Sequence, residues 1–205
     1  MPQIDSKERK SVVLGVTGAS GAVFARRFLQ FLERDSRIGK IHLVISESGL
    51  RVARHELGIE ATDPAQVADF LACGKTQKTI YLPETDIGAS IASGSYRVDW
   101  MAVVPCSMGT VAKIANGLST SLLGRAADVT LKEHRPLLLA VRDTPFGQIH
   151  LENLLRIHHA GGTIFPIIPS FYNHPTSIDA LVTQYCCRAL GHLGLPQDAQ
   201  FEWQG

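Results

Sequence analysis

Short, almost wholly apolar runs alternate along this chain with stretches in which apolar residues recur every third or fourth position, and few folds tolerate that alternation. VVLGV (12–16), IHLVIS (41–46), WMAVVP (100–105) and PLLLAV (136–141) have strand length and no polar alternation. Each is therefore expected to be covered on both faces, as in a parallel sheet. AVFARRFLQFLERD (22–35) sets Phe24, Phe28, Phe31 and Leu32 on one side, with Arg26, Arg27 and Glu33 elsewhere, which predicts an amphipathic helix packed on that sheet. Further helices are expected after Ser46 through Glu56, from Ser107, over 121–134, over QIHLENLLRIHHAG (148–161) and from Ser177 to His192. TIYL (79–82) reads as a short strand and PAQVADFLA (64–72) as a short helix. TIFPIIP, interrupted by two prolines, is an edge strand or irregular. Strand followed by helix, repeated, predicts a doubly wound, mostly parallel α/β three-layer sandwich.

With 205 residues the chain can bury one substantial core, and its 45% apolar and 19% charged residues describe a compact domain rather than a disordered chain. We expect a flexible N-terminus (1–10), a single domain (11–195) and a C-terminal tail (196–205). A net charge of +1 and the lack of any long basic run argue against nucleic acid as a partner. Cys73, Cys106, Cys186 and Cys187 form no CxxC, which points to a reducing compartment and no metal cluster. MPQIDSKERK is not a signal peptide and no run of eighteen apolar residues follows, so a cytoplasmic protein without a membrane span is expected.

The junction GVTGASGA is neither the GxGxxG dinucleotide pattern nor a P-loop, which would carry GK[ST]. Gly18 and Gly21 permit a tight turn, and Ser20 either caps the helix or donates to an anion at its N-terminus. The second apolar run ends on Ser46. The third leads into PCSMGT, where Ser107 alone is a plain helix cap, Cys106 a packed thiol, and Thr110 lies within the first turn. Three hydroxyl-bearing strand ends along one sheet edge would form a groove for a nucleotide-like cofactor such as FMN.

Arg125 and Lys132 lie nearly two helical turns apart and share a face, where pairing with Asp128 and Glu133 is the plain alternative. LLLAVRDTP delivers Arg142 and Asp143 at a strand end, so that Arg142 meets an anion or braces against Asp143. PSFYNHPTS holds Tyr172 and His174 in a proline-bounded loop, and Arg188 follows on the last helix. Tyr172 and Arg188 read singly as packing and surface residues; with Arg125 and Lys132 they would bind a phosphate and stabilise it as a leaving group. Glu56 is an exposed helix carboxylate or an acidic site residue. The histidines lack HExxH spacing, and no GxSxG elbow supports a serine triad. In DIGASIASGSYRVDW, Tyr96 and Trp100 read as core, the alternative being a small-residue helix in a subunit interface with Tyr96 reaching across.

Taken in order, GVTGASGA, VIS, DIGASIASGSYRVD, VVPCSMGTVAKIANG, LLGRAADVTLKEHRPL, VRDTPF, HLENLL and PSFYNHP resemble the flavin prenyltransferase (UbiX-like) family over about residues 11–195. The resemblance implies a Rossmann-like (flavodoxin-like) homo-oligomer, often a dodecamer, that binds reduced FMN between subunits and needs no metal. It implies transfer of the dimethylallyl group of dimethylallyl monophosphate to flavin N5 and C6, giving prenylated FMN for a UbiD-like decarboxylase. By likeness, flavin binding falls to Gly18, Ala19, Ser20, Ser46, Ser107, Met108, Gly109, Thr110 and Arg142. Phosphate binding falls to Arg125, Lys132, Tyr172 and Arg188. Ser20, Glu56 and Asp143 are candidates for proton transfer, with Lys132 acting on the leaving phosphate. The family's Arg-Glu-Thr-Pro is RDTP here, so the Asp143 carboxylate is one methylene shorter and its reach changes by more than about 1 Å. An FMN-dependent cysteine decarboxylase would carry an early histidine base where this chain has Ser20 and Ala22, and the remaining rival is a non-catalytic flavin-carrying accessory subunit.

Overall fold

The computed structural model describes residues 9–61 and 63–199. The assignments of a flexible N-terminus and a C-terminal tail fall largely on residues 1–8 and 200–205, outside that range. The first strand, β1 (Lys10–Val16), begins inside the stretch read as frayed. Beyond residue 195, Pro196 accepts a hydrogen bond from Arg37 and Gln197 donates to Asp35, so the described part of the tail packs back on the domain.

Six parallel strands form one sheet in the order β3-β2-β1-β4-β5-β6, where β2 is Ile38–Ile45, β3 Thr79–Tyr81, β4 Trp100–Cys106, β5 Leu137–Val141 and β6 Thr163–Ile164. All seven residues of β4 and all five of β5 are buried, as unalternating apolar runs require. Successive residues face opposite sides and meet different helices. Val12, Leu14, Ala102 and Leu138 pack with α1 (Ala22–Arg34), α3 (Pro64–Ala72) and α7 (Ile178–His192) through Phe28, Leu71 and Leu190. Val13, Met101, Val103 and Leu139 pack on the other side with α4 (Met108–Ala115), α5 (Leu122–Lys132) and α6 (Gln148–His159). The helix α2 (Glu47–Leu57) contributes Ala53 to the first layer. β1 lies between β2 and β4, so successive crossovers leave it in opposite directions and open a crevice above the carboxyl ends of the strands.

The proline-broken TIFPIIP becomes a two-residue edge strand, since proline has no N–H for a ladder. Trp100 is core, at 1% exposure, and Tyr96 is half-buried. The small-residue segment before β4 is no α-helix: it is irregular apart from a short 3-10 turn at Ser90–Ala92, with Ile91 buried beneath it.

His42, on β2, is a buried polar residue whose Nε2 lies 3.1 Å from the Tyr96 hydroxyl and 3.4 Å from Ser11 Oγ. Burial, followed by the charge of Lys40, lowers its pKa from 6.5 to about 4. The unfolded chain therefore takes up a proton near 6.5 that the folded chain refuses, and the stability His42 provides in full above 6.5 is lost as pH falls toward 4. Thermal melts should show the wild-type Tm falling more steeply across that window than the Tm of His42→Gln. Parallel slopes would exclude His42 as the source.

Candidate active site

The turns ending β1, β2 and β4 are tied into one rigid edge. Thr17 is 2% exposed; its Oγ1 donates to Pro105 O at 2.9 Å and accepts from Ser107 N at 2.8 Å, joining the first turn to the third. Ser46 N donates to Val16 O at 2.9 Å, and Ser46 Oγ accepts from Gly49 N at 3.0 Å, capping α2. At Gly18 an added Cβ would sit 2.5 Å from Ser48 Cβ, so only glycine lets the β1 turn approach α2 this closely. Gly18→Ala should destabilise the fold by about 1–3 kcal/mol through this overpacking. A melting temperature equal to wild type would show that the turns can part.

Ser107 is the N-cap of α4: its Oγ accepts from Thr110 N at 3.3 Å and lies 3.1 Å from Thr110 Oγ1. Gly109 beside it is exposed, and a Cβ there would meet nothing within 4 Å. No neighbour in the chain needs that missing side chain, so the space above the α4 N-terminus is free for a ligand. Cys106 is fully buried, where desolvation pushes its thiol pKa far up, and it is a packed thiol.

Ser20 does not cap α1. The N-cap is Gly21, at φ 118°, with no side-chain cap of its own. The first N–H groups of α1 are instead taken by Glu56, whose Oε2 accepts from Gly21 N at 2.9 Å and Ala22 N at 2.7 Å. The Ser20 side chain and the charge of Arg142 act on that carboxylate as well. Desolvation is the largest single influence and raises the Glu56 pKa, but the Ser20 side chain and the hydrogen bonds from Gly21 and Ala22, with Arg142, outweigh it and hold the pKa below 4.5. The anion at this helix N-terminus is thus supplied by α2, and Ser20, Glu56 and Arg142 form one cluster.

The other residues singled out from the sequence are more dispersed. Arg142 and Asp143 are both exposed and make no ion pair with each other; Asp143 Oδ1 accepts from Thr144 N at 2.8 Å within its own turn. Arg125 donates to Asp128 at 3.0 Å and to Ala92 O at 3.2 Å. Arg125 and Lys132 belong to α5, on one side of the sheet, whereas Arg188 belongs to α7, on the other. Among the described residues, α5 thus places Arg125 and Lys132 across the sheet from Arg188. Arg188 borders a cavity of about 240 Å³ walled by Phe165, Pro166, Ile168 and Tyr185, and Tyr172, two residues beyond the lining residue Ser170 along the chain, is 71% exposed. Sequence reasoning passed over Thr17, Ser48 and this apolar wall. Thr17 stood inside the quoted GVTGASGA, but nothing local announces a bond to Pro105.

A flavoprotein family model matches residues 2–186. Over 190 residues, 93% of this chain, the sequence is 42% identical to the flavin prenyltransferase UbiX of Halalkalibacterium halodurans, of which it covers 91%. The chain belongs to the flavin prenyltransferase family. A solved UbiX structure in complex with FMN and dimethylallyl pyrophosphate matches this flavin prenyltransferase with a TM-score of 0.83 at 36% identity, over 97% of this chain and 99% of that one. A dodecameric FMN-dependent UbiX-like decarboxylase from Escherichia coli O157:H7 matches with 0.82 at 38% identity, over 95% and 100% of the two chains. The FMN-dependent cysteine decarboxylase SpaF, at 15% identity and a TM-score of 0.57 over 86% and 97%, shares the fold alone.

Proposed function

We propose that this flavin prenyltransferase joins the dimethylallyl group of dimethylallyl monophosphate to N5 and C6 of reduced FMN, releasing phosphate and prenylated FMN for a UbiD-like decarboxylase. The observation that carries this reading is the cluster of Ser20, Glu56 and Arg142 beside the three hydroxyl-bearing turns. Gly18, Ala19, Ser20, Ser46 and Ser107 through Thr110 would seat the flavin, with Arg142 facing its polar edge. Reduced FMN, when bound, supplies the electron-rich acceptor.

Two acidic candidates separate on geometry. Asp143 is bonded within its own turn, whereas Glu56 is anchored on Gly21 N and Ala22 N beside Ser20 and is held ionised, which suits it to take a proton through the serine hydroxyl. Arg125, Lys132, Tyr172 and Arg188 would hold the donor phosphate and stabilise charge as it leaves. Their separation onto two sides of the sheet favours a site completed between subunits of a homo-oligomer, with a dodecamer as the expected assembly. Apolar walls such as Phe165 and Ile168 would keep water from the allylic fragment. No helix among the described residues is long and apolar enough to cross a membrane, which supports a cytoplasmic reading.

Anaerobic incubation of the protein with reduced FMN and either dimethylallyl monophosphate or pyrophosphate tests this, with the released flavin measured by mass. Flavin heavier by one five-carbon unit is expected with the monophosphate. Unmodified flavin with both donors would favour a flavin-carrying role.

A further inference from the structure

The ladder that pairs β1 with β4 runs only as far as Gly15 and Val103, short of the turns that follow the two strands. Pro105, on β4 beyond that point, has no N–H with which to continue it. Thr17 spans the gap instead, with its side chain. We propose, on the reading that these turns seat FMN, that Thr17 is a positioning residue for prenyl transfer: it fixes the cluster of Ser20, Glu56 and Arg142 against the flavin seat at residues 107–110.

The hydroxyl works as donor and acceptor at once. Its one proton goes to Pro105 O at 2.9 Å, and its oxygen accepts from Ser107 N at 2.8 Å. Thr17 N donates to the same Pro105 oxygen at 3.2 Å, and Thr17 O accepts from Ala19 N at 2.9 Å. One residue thus grips the β4 turn and begins the turn that carries Gly18 and Ser20. Among side chains of this size only serine and threonine can give and accept in this way. Valine has the same shape but would take away the acceptor that holds Ser107 N, and at 2% exposure water has no room to replace it.

Both ends of this brace lead to groups assigned to the chemistry. Ser107 is the N-cap of α4, so the start of that helix follows Ser107 N. On the other side, Gly21 N and Ala22 N hold Glu56 beside Ser20. Val16 O, one residue before Thr17, accepts from Ser46 N at 2.9 Å, which carries the β2 turn along with the other two. Loosening the Thr17 bonds would therefore shift the acid–base cluster relative to the flavin without removing a group that touches either reactant. A misplacement of about 1 Å costs about a hundredfold in rate. Donor binding falls to Arg125, Lys132, Tyr172 and Arg188, none of which Thr17 holds, so the loss belongs in kcat and not in KM for the donor.

The test compares Thr17→Val with Thr17→Ser, below the Tm of both. Per flavin-loaded chain, kcat of Thr17→Val with dimethylallyl monophosphate should fall about ten- to a hundredfold, with KM for the donor within about twofold of wild type. FMN affinity, read by flavin fluorescence without any turnover, should fall about tenfold. Thr17→Ser keeps the hydroxyl and should recover most of both losses. A Thr17→Val protein that melts lower but turns over and binds FMN like wild type makes Thr17 a plain brace and overturns the proposal; so do equal losses in the two variants. If Thr17→Val does not fold, amide hydrogen exchange of the wild type decides: Ser107 N should be as protected without FMN as with it, and protection that arises only with FMN overturns a preset turn. Gly109→Leu tests the flavin seat separately, because it adds bulk where a Cβ meets nothing in the chain. Unchanged FMN affinity in Gly109→Leu would sink the seat itself, whereas lost affinity there beside a wild-type-like Thr17→Val would sink the role of Thr17 alone.

Discussion

Lys132→Ala and Arg188→Ala are each expected to lower prenyl transfer by about 10²–10³-fold, because in the proposed mechanism each supplies a donor to charge that develops on the leaving phosphate. FMN binding should persist, since neither residue belongs to the turns proposed to seat the flavin. The two residues lie on opposite sides of the sheet, and this makes a sharper experiment possible. If α5 of one subunit and α7 of another build each phosphate site, mixing the two inactive variants regenerates sites in which both residues are intact. Random assembly of equal amounts would restore about a quarter of the sites. Dissociation, mixing and reassembly followed by an anaerobic turnover assay reads this directly. Recovery near zero would place both residues in a site within one chain, and wild-type turnover in either single variant would remove that residue from the scheme.

Glu56→Gln should cost about 10²-fold in turnover while leaving the fold nearly as stable. The amide oxygen can still accept from Gly21 N and Ala22 N, which wild-type Glu56 holds at 2.9 and 2.7 Å, so the α1 cap survives. What disappears is a negative charge that completes the helix dipole, worth about 0.3–1 kcal/mol at an exposed site, and the basic site beside Ser20. The pH dependence has a definite sign. Glu56 has a pKa depressed below 4.5, so its contributions to stability and to proton transfer are present above that value and decline as pH falls through the lower folded value. Wild-type turnover should therefore hold on the acid side until below 4.5, and the residual activity of Glu56→Gln should lack that limb. An unchanged rate in the variant would reduce Glu56 to a cap.

The strands and helices were legible because each rests on a local period. VVLGV and WMAVVP could be read as doubly covered strands, and Phe24, Phe28 and Leu32 as one helix face, from spacing alone. The hydroxyls after β1, β2 and β4 could be placed on one edge because parallel strands all end at the same side. Ser107 was readable both as a cap and as a cradle residue, and its local bond to Thr110 establishes the first. Ser20 was misread as a possible cap because the residue that does the capping lies 35 positions away along the chain.

The sequence by itself determined which segments are strands and helices, and that the turns carrying Gly18, Ser46, Ser107 and Arg142 would share the carboxyl edge of the sheet. Patterns of apolar spacing and strand polarity act over a few residues, so the local chemistry suffices. Tertiary structure alone decided that Glu56 and not Ser20 neutralises α1, that Arg125 and Lys132 stand across the sheet from Arg188, and that Thr17 reaches Pro105 and Ser107. Those outcomes depend on which face each crossover takes and on contacts between distant segments, and no local period encodes them.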